Sequence, residues 1–84
     1  MPAAIVTLLS KPGCHLCDDA RAVVEEVLRE FPDVDLRETS ILDDAELHAR
    51  YWDEIPVVLI DDAVHTIYRV DADRLRAALA ERSP

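Results

Sequence analysis

Two cysteines, the only ones in the chain, stand three positions apart in the stretch Ser10-Lys11-Pro12-Gly13-Cys14-His15-Leu16-Cys17-Asp18-Asp19. Thiols at that spacing, where an extended segment turns into a helix, suit thiol–disulfide chemistry. Backbone N–H groups and the positive end of the helix dipole favour a thiolate on the first cysteine. The second follows one helical turn later, within reach of a mixed disulfide formed on the first. A bond between them closes a very short loop and adds little loop-entropy stability. Nor can two cysteines build the disulfide framework of a small secreted domain. Chemistry explains the pair better than stability does. His15 lies between them, either as an imidazolium that favours the Cys14 thiolate or as a helix-start residue facing solvent.

The flanking segments must hold this stretch in place. Ala3 to Leu9 is almost wholly apolar and rich in β-branched residues, which reads as a strand buried on both faces and ended by Pro12-Gly13. From about His15 to Glu30, Leu16, Ala20, Val23, Val24, Val27, Leu28 and Phe31 recur at three- and four-residue steps. That is one apolar face of a helix, stopped by Pro32. Asp33 to Glu38 alternates and predicts a half-buried strand with Val34 and Leu36 on one side. A strand, a helix and a strand with short joints imply two parallel strands and a right-handed crossover.

Asp43 with Glu46 reads as an N-cap and its capping partner for a second helix reaching Tyr51, with Leu47 and Tyr51 inward. Tyr51 and Trp52 are expected to close that helix onto the core, or else to mark a contact surface. Ile55 to Ile60 reads as the next buried strand, with Pro56 at its start, where a missing N–H is tolerated. Asp61-Asp62-Ala63 then makes a turn, Val64 to Val70 an edge strand, and Asp71 caps a last helix packed through Leu75, Ala78 and Leu79. The order is β-α-β-α-β-β-α.

Composition narrows the functional classes. With 84 residues the chain has room for one domain, expected to span 1–84. The 18 acidic and 9 basic residues leave a net charge of −9, which argues against a nucleic-acid partner and weakens attraction to an acidic membrane surface. No apolar run approaches the ~18 residues of a membrane helix. Met1-Pro2-Ala3-Ala4 does not read as a signal peptide, so the expected location is cytoplasmic. His48 and His65 show no spacing relation to the cysteines and read as surface residues.

The element order, the Cys-x-x-Cys at the end of the first strand and the proline opening the third together resemble the thioredoxin fold, and within it the glutaredoxins. Ser10-Lys11-Pro12-Gly13-Cys14-x-x-Cys17 is similar to the glutaredoxin active-site segment, and Ile55-Pro56-Val57-Val58 to its cis-proline segment. The resemblance covers essentially the whole chain and implies an α/β, thioredoxin-like fold with a four-stranded mixed sheet. It implies that Cys14 is the nucleophile and Cys17 the resolving thiol, that Lys11 lies near the thiolate, and that Pro56 is cis, with Ile55 lining the substrate groove. The implied partners are protein disulfides, with a low-molecular-weight thiol or a thioredoxin-type reductase as electron donor.

The sequence also departs from the pattern. His15-Leu16 stands where glutaredoxins commonly have Pro-Tyr. The region Ile67-Tyr68-Arg69-Val70-Asp71-Ala72-Asp73 lacks the Gly-Gly pair that precedes their last helix, although Asp71 or Asp73 could hold an amine. This pattern is nearest to the short bacterial glutaredoxin-like proteins.

Two other classes stay open. A thiolate metal site needs four ligands and would require a second subunit or an external thiol. A thioredoxin-fold adaptor would keep idle cysteines and act by binding. The reading taken forward is a cytoplasmic, monomeric thiol–disulfide oxidoreductase that needs no metal and no organic cofactor.

Overall fold

The aliphatic run at the start of the chain forms β1 (Ala4–Ser10), the strand on which the sheet is built. It pairs in parallel with β2 (Val34–Ser40) from Ala4↔Val34 to Ser10↔Ser40. On its other side it pairs antiparallel with β3 (Val57–Ile60), which pairs antiparallel with β4 (Ala63–Ile67). The strand order β2-β1-β3-β4 makes the mixed four-stranded sheet expected from the sequence. Three helices complete it: α1 (His15–Leu28), α2 (Ala45–Tyr51) and α3 (Ala72–Arg82). This computed structural model describes residues 3–82, so Met1, Pro2, Ser83 and Pro84, the two extremities of the expected 1–84 domain and half of the Met1–Ala4 segment, lie outside it.

The topology gathers the reactive stretch and its neighbours. The carboxyl ends of β1, β2 and β4 and the amino end of β3 all meet at one end of the sheet. One face is covered by α1 and α3, where Val6, Leu8, Val24, Val27, Leu75 and Leu79 are all fully buried. Each such side chain contributes roughly 1.5–3 kcal/mol through burial. Leu9, Cys17, Ile41, Tyr51, Ile55 and Val57 form a second cluster, which joins the start of α1 to α2 at the reactive end.

Several local expectations need correcting. Helix α1 stops at Leu28, and its last turn tightens as the Glu30 N–H donates to the Val27 carbonyl, since the chain must leave the helix ahead of Pro32. Leu16 is 42% exposed, and the inward stripe starts instead at Cys17. The cap of α2 is Asp44, whose carboxylate accepts from the N–H groups of Glu46 and Leu47 at 2.9 and 3.2 Å. Asp43 instead ends a short 3-10 turn, Ile41–Asp43, capped by Ser40 Oγ, so Glu46 is not a capping partner. Of the two rings, Tyr51 closes α2 onto the core while Trp52, one step round the helix, is 59% exposed.

Strand β4 begins one residue earlier than expected, at Ala63, and ends at Ile67, because Tyr68 turns out of the ladder with φ +67°. Asp71 does cap α3, accepting the Arg74 N–H at 2.9 Å.

His65 is not the free surface residue its isolation in sequence suggests. Val58 pairs with Thr66 and Leu59 with Val64, which leaves His65 as the extra residue of a β-bulge. Its Nε2 is buried without a hydrogen-bond partner among the described residues. Burial, and secondarily the Arg74 charge, hold the imidazole below its ordinary value of 6.5. The folded state therefore favours neutral His65, and this contribution is complete above pH 6.5 and declines as pH falls below it. Thermal unfolding at pH 7 and pH 5.5 should show a loss of stability on acidification that is smaller in His65→Asn.

Candidate active site

The turn that delivers the cysteines rests on the chain's only glycine. Gly13 has φ +76°, and a Cβ built on it would meet nothing within 4 Å, so handedness rather than space calls for glycine there. Cys14 follows with extended φ −94° and ψ 108° and serves as the N-cap of α1. Its Sγ accepts the Cys17 N–H at 3.1 Å, and its carbonyl accepts the Asp18 N–H at 3.1 Å. The two sulfurs are joined as a disulfide, with Cα atoms 5.2 Å apart. Cys14 is half-buried and can be reached from solvent, whereas Cys17 is fully buried. A sulfur at that position receives a backbone donor and the positive end of a fourteen-residue helix, both of which stabilise an anion.

Ile55 joins both cysteines in the apolar cluster beside the sheet. The Ile55–Pro56 peptide is cis, and Pro56 is buried. The carbonyl of Pro56 accepts the Tyr68 N–H at 2.8 Å, and the Tyr68 hydroxyl donates to the Asp53 carbonyl at 3.0 Å. Tyr68 thus ties the proline loop to the end of β4. Lys11 and His15 flank Cys14 in sequence and are both exposed. Neither enters an ion pair among the described residues.

Sequence reasoning missed a polar network on the β2 side of the disulfide. The buried Ser10 donates to Glu38 at 2.8 Å, and Arg21 grips the same carboxylate through Nε and Nη2, each at 2.6 Å. Its Nη1 also reaches Asp18 at 2.8 Å. The guanidinium, then the Ser10 hydroxyl, hold Glu38 below its ordinary 4.5 against the opposing effect of burial. The network pins the first turns of α1 to the ends of β1 and β2, and so fixes where Cys14 sits. Arg21 and Glu38 are 17 residues apart, and only the β1–β2 register with α1 laid across it brings them together. No local pattern signals that.

Two clefts adjoin the segment that carries the disulfide. One of about 360 Å³ is bounded by Lys11, Gly13, Arg21, Glu38 and Ser40. The other, of about 190 Å³, is bounded by Leu16, Asp19, Val23, Tyr68 and Arg69. Among the described residues, no three His, Cys, Asp or Glu side chains converge as a metal site would require. No helix there is long and apolar enough to cross a membrane.

Comparison with known proteins places this arrangement. The family model described as "Glutaredoxin-like domain (DUF836)" matches residues 5–80. An uncharacterized protein of Mycobacterium tuberculosis is 32% identical over 79 residues, covering 89% of this chain and 81% of its own. A crystal structure of a protein from X. campestris is 32% identical with a TM-score of 0.68, covering 94% of this chain and 99% of that one. Fasciola hepatica thioredoxin, at 19% identity, has a TM-score of 0.68 over 95% of this chain and 81% of its own, a likeness of fold alone.

Proposed function

Because the chain belongs to the glutaredoxin-like domain family, and its paired cysteines fit a redox role, we propose that it is a dithiol thiol–disulfide oxidoreductase with Cys14 as nucleophile. The observation that carries this reading is the placement of Cys14 Sγ as the cap of α1, accepting the Cys17 N–H, with Cys17 shut away behind it. In the reduced protein the Cys14 thiolate attacks one sulfur of a substrate disulfide and displaces the other as thiolate. Cys17 then gives up its proton and attacks Cys14 Sγ in the mixed disulfide. The second substrate thiolate leaves, and the Cys14–Cys17 bond retains the oxidation. Two electrons pass to the substrate and none is left over. The dithiol carries them itself, without metal or organic cofactor.

Lys11 and His15 serve in this reading as cationic neighbours that favour the thiolate. Ile55 and Pro56 present backbone to the substrate beside Cys14. A low-molecular-weight thiol or a thioredoxin-type reductase returns the electrons, and the protein works as a cytoplasmic monomer on protein disulfides.

The test is intact mass spectrometry across glutathione redox buffers, with thiols trapped by acid quench and alkylation. A reversible loss of two hydrogens is expected, with a midpoint between about −270 and −120 mV. Thiols that stay reduced throughout would overturn the reading. Cys17→Ser provides a second check. Its Cys14 should remain alkylatable by iodoacetamide, yet accumulate a mixed disulfide that lives at least ~100-fold longer than in the parent chain, because the resolving attack is lost. If Cys17 proves to be the faster-alkylating thiol in the reduced parent protein, the roles are reversed.

A further inference from the structure

Of the five most exposed large apolar side chains among the described residues, four stand at the disulfide end of the sheet. Leu16 lies in the first turn of α1, and Tyr68 is bonded to the cis-proline loop. Leu42 follows the carboxyl end of β2 by two residues, and Trp52 adjoins Asp53, whose carbonyl accepts from the Tyr68 hydroxyl. Only Val64 lies elsewhere. Scattered exposed apolar residues are ordinary, but their convergence round a reactive group marks a contact surface.

Charge identifies what that surface accepts. The segments that meet there, 10–19, 40–46, 51–56 and 67–71, hold eight carboxylates, of which Asp18 is paired with Arg21, against the two cations Lys11 and Arg69. Asp19, Asp43, Asp53 and Glu54 enter no ion pair among the described residues. A small thiol is too short to span side chains on both sides of the disulfide. A polypeptide with basic residues meets attraction and is long enough.

We propose that this end is a docking surface for a polypeptide whose disulfide is flanked by basic residues, with apolar side chains seated on the Leu16, Leu42, Trp52 and Tyr68 rim. The inference rests on the redox reading above. The step is the one already written, the substrate disulfide being reduced as Cys14–Cys17 is oxidised. The carboxylates raise the rate of encounter, and the rim lengthens the stay.

The experiment oxidises the reduced full chain in single turnovers, followed by Trp52 fluorescence and confirmed by mass. The oxidants are two symmetric peptide disulfides of identical apolar sequence, one with lysines and one with glutamates flanking the cystine, and neutral hydroxyethyl disulfide. The lysine peptide should react at least ~10-fold faster than the glutamate peptide at low ionic strength, as electrostatic steering allows. The ratio should shrink towards one at high salt, and should fall in Asp53→Asn/Glu54→Gln.

Equal rates for the two peptides, or a faster glutamate peptide, overturn the inference while oxidation by hydroxyethyl disulfide leaves the redox reading standing. A ratio unchanged in the double variant overturns the assignment to this rim. If none of the three oxidants closes the disulfide, the redox reading itself fails.

Discussion

Cys14→Ser is expected to abolish disulfide reduction, lowering turnover by at least about 10³-fold. A serine at the cap of α1 still accepts the backbone N–H, so the helix and its start should be retained. The nucleophile is lost, because an alcohol is scarcely ionised at neutral pH and forms no sulfur–sulfur bond. The variant should therefore unfold at a similar denaturant concentration to the reduced parent protein while showing no mixed disulfide by mass. Insulin reduction driven by dithiothreitol, scored by turbidity, gives the rate. Activity retained within tenfold would place the chemistry elsewhere than on Cys14.

The second large effect is expected on the fold. Leu8 lies in the middle of β1, paired with Val58 on one side and Glu38 on the other, and is fully buried against α1 and α3. Leu8→Ala removes buried volume where three elements meet and little can relax, a class of change that costs about 2–5 kcal/mol. A small domain holds on the order of 5–15 kcal/mol in all. Urea unfolding of the variant should show a midpoint lowered by more than 1 M, at a slope of roughly 1–3 kcal/mol per molar. A midpoint within experimental error of the parent would mean that Leu8 is not in the core described.

Most of the architecture was legible because it follows from short-range pattern. The apolar run of β1, the stripe of α1 and the charged alternation of β2 each declare one element, and the crossover rule fixes the hand of the first three. What failed did so where neighbours compete. Asp43 and Asp44 are equally good caps, and only the 3-10 turn initiated at Ser40 decides for the second. Leu16 fits the apolar periodicity as well as Cys17 does, but only one of two adjacent residues can face inward, and the cysteine takes that place.

At the candidate site, the cysteine pair, the flanking Lys11 and His15 and the proline were visible as residues. The cleft beside them, held by Arg21 and Glu38, was not, since it depends on register between distant strands. His65 was misjudged for a similar reason, because a bulge leaves no mark on hydropathy.

That bulge also bears on how the molecule behaves in company. A sheet of four strands has two open margins, β2 and β4, and a flat, regular margin invites another chain to add a strand. Along β2, Asp35 and Arg37 place exposed charges beside the outer row. Along β4 the extra residue at His65 interrupts the row of backbone donors and acceptors, and the turn at Tyr68 cuts it short. Charge along one margin and the bulge along the other both disfavour the addition of a further strand.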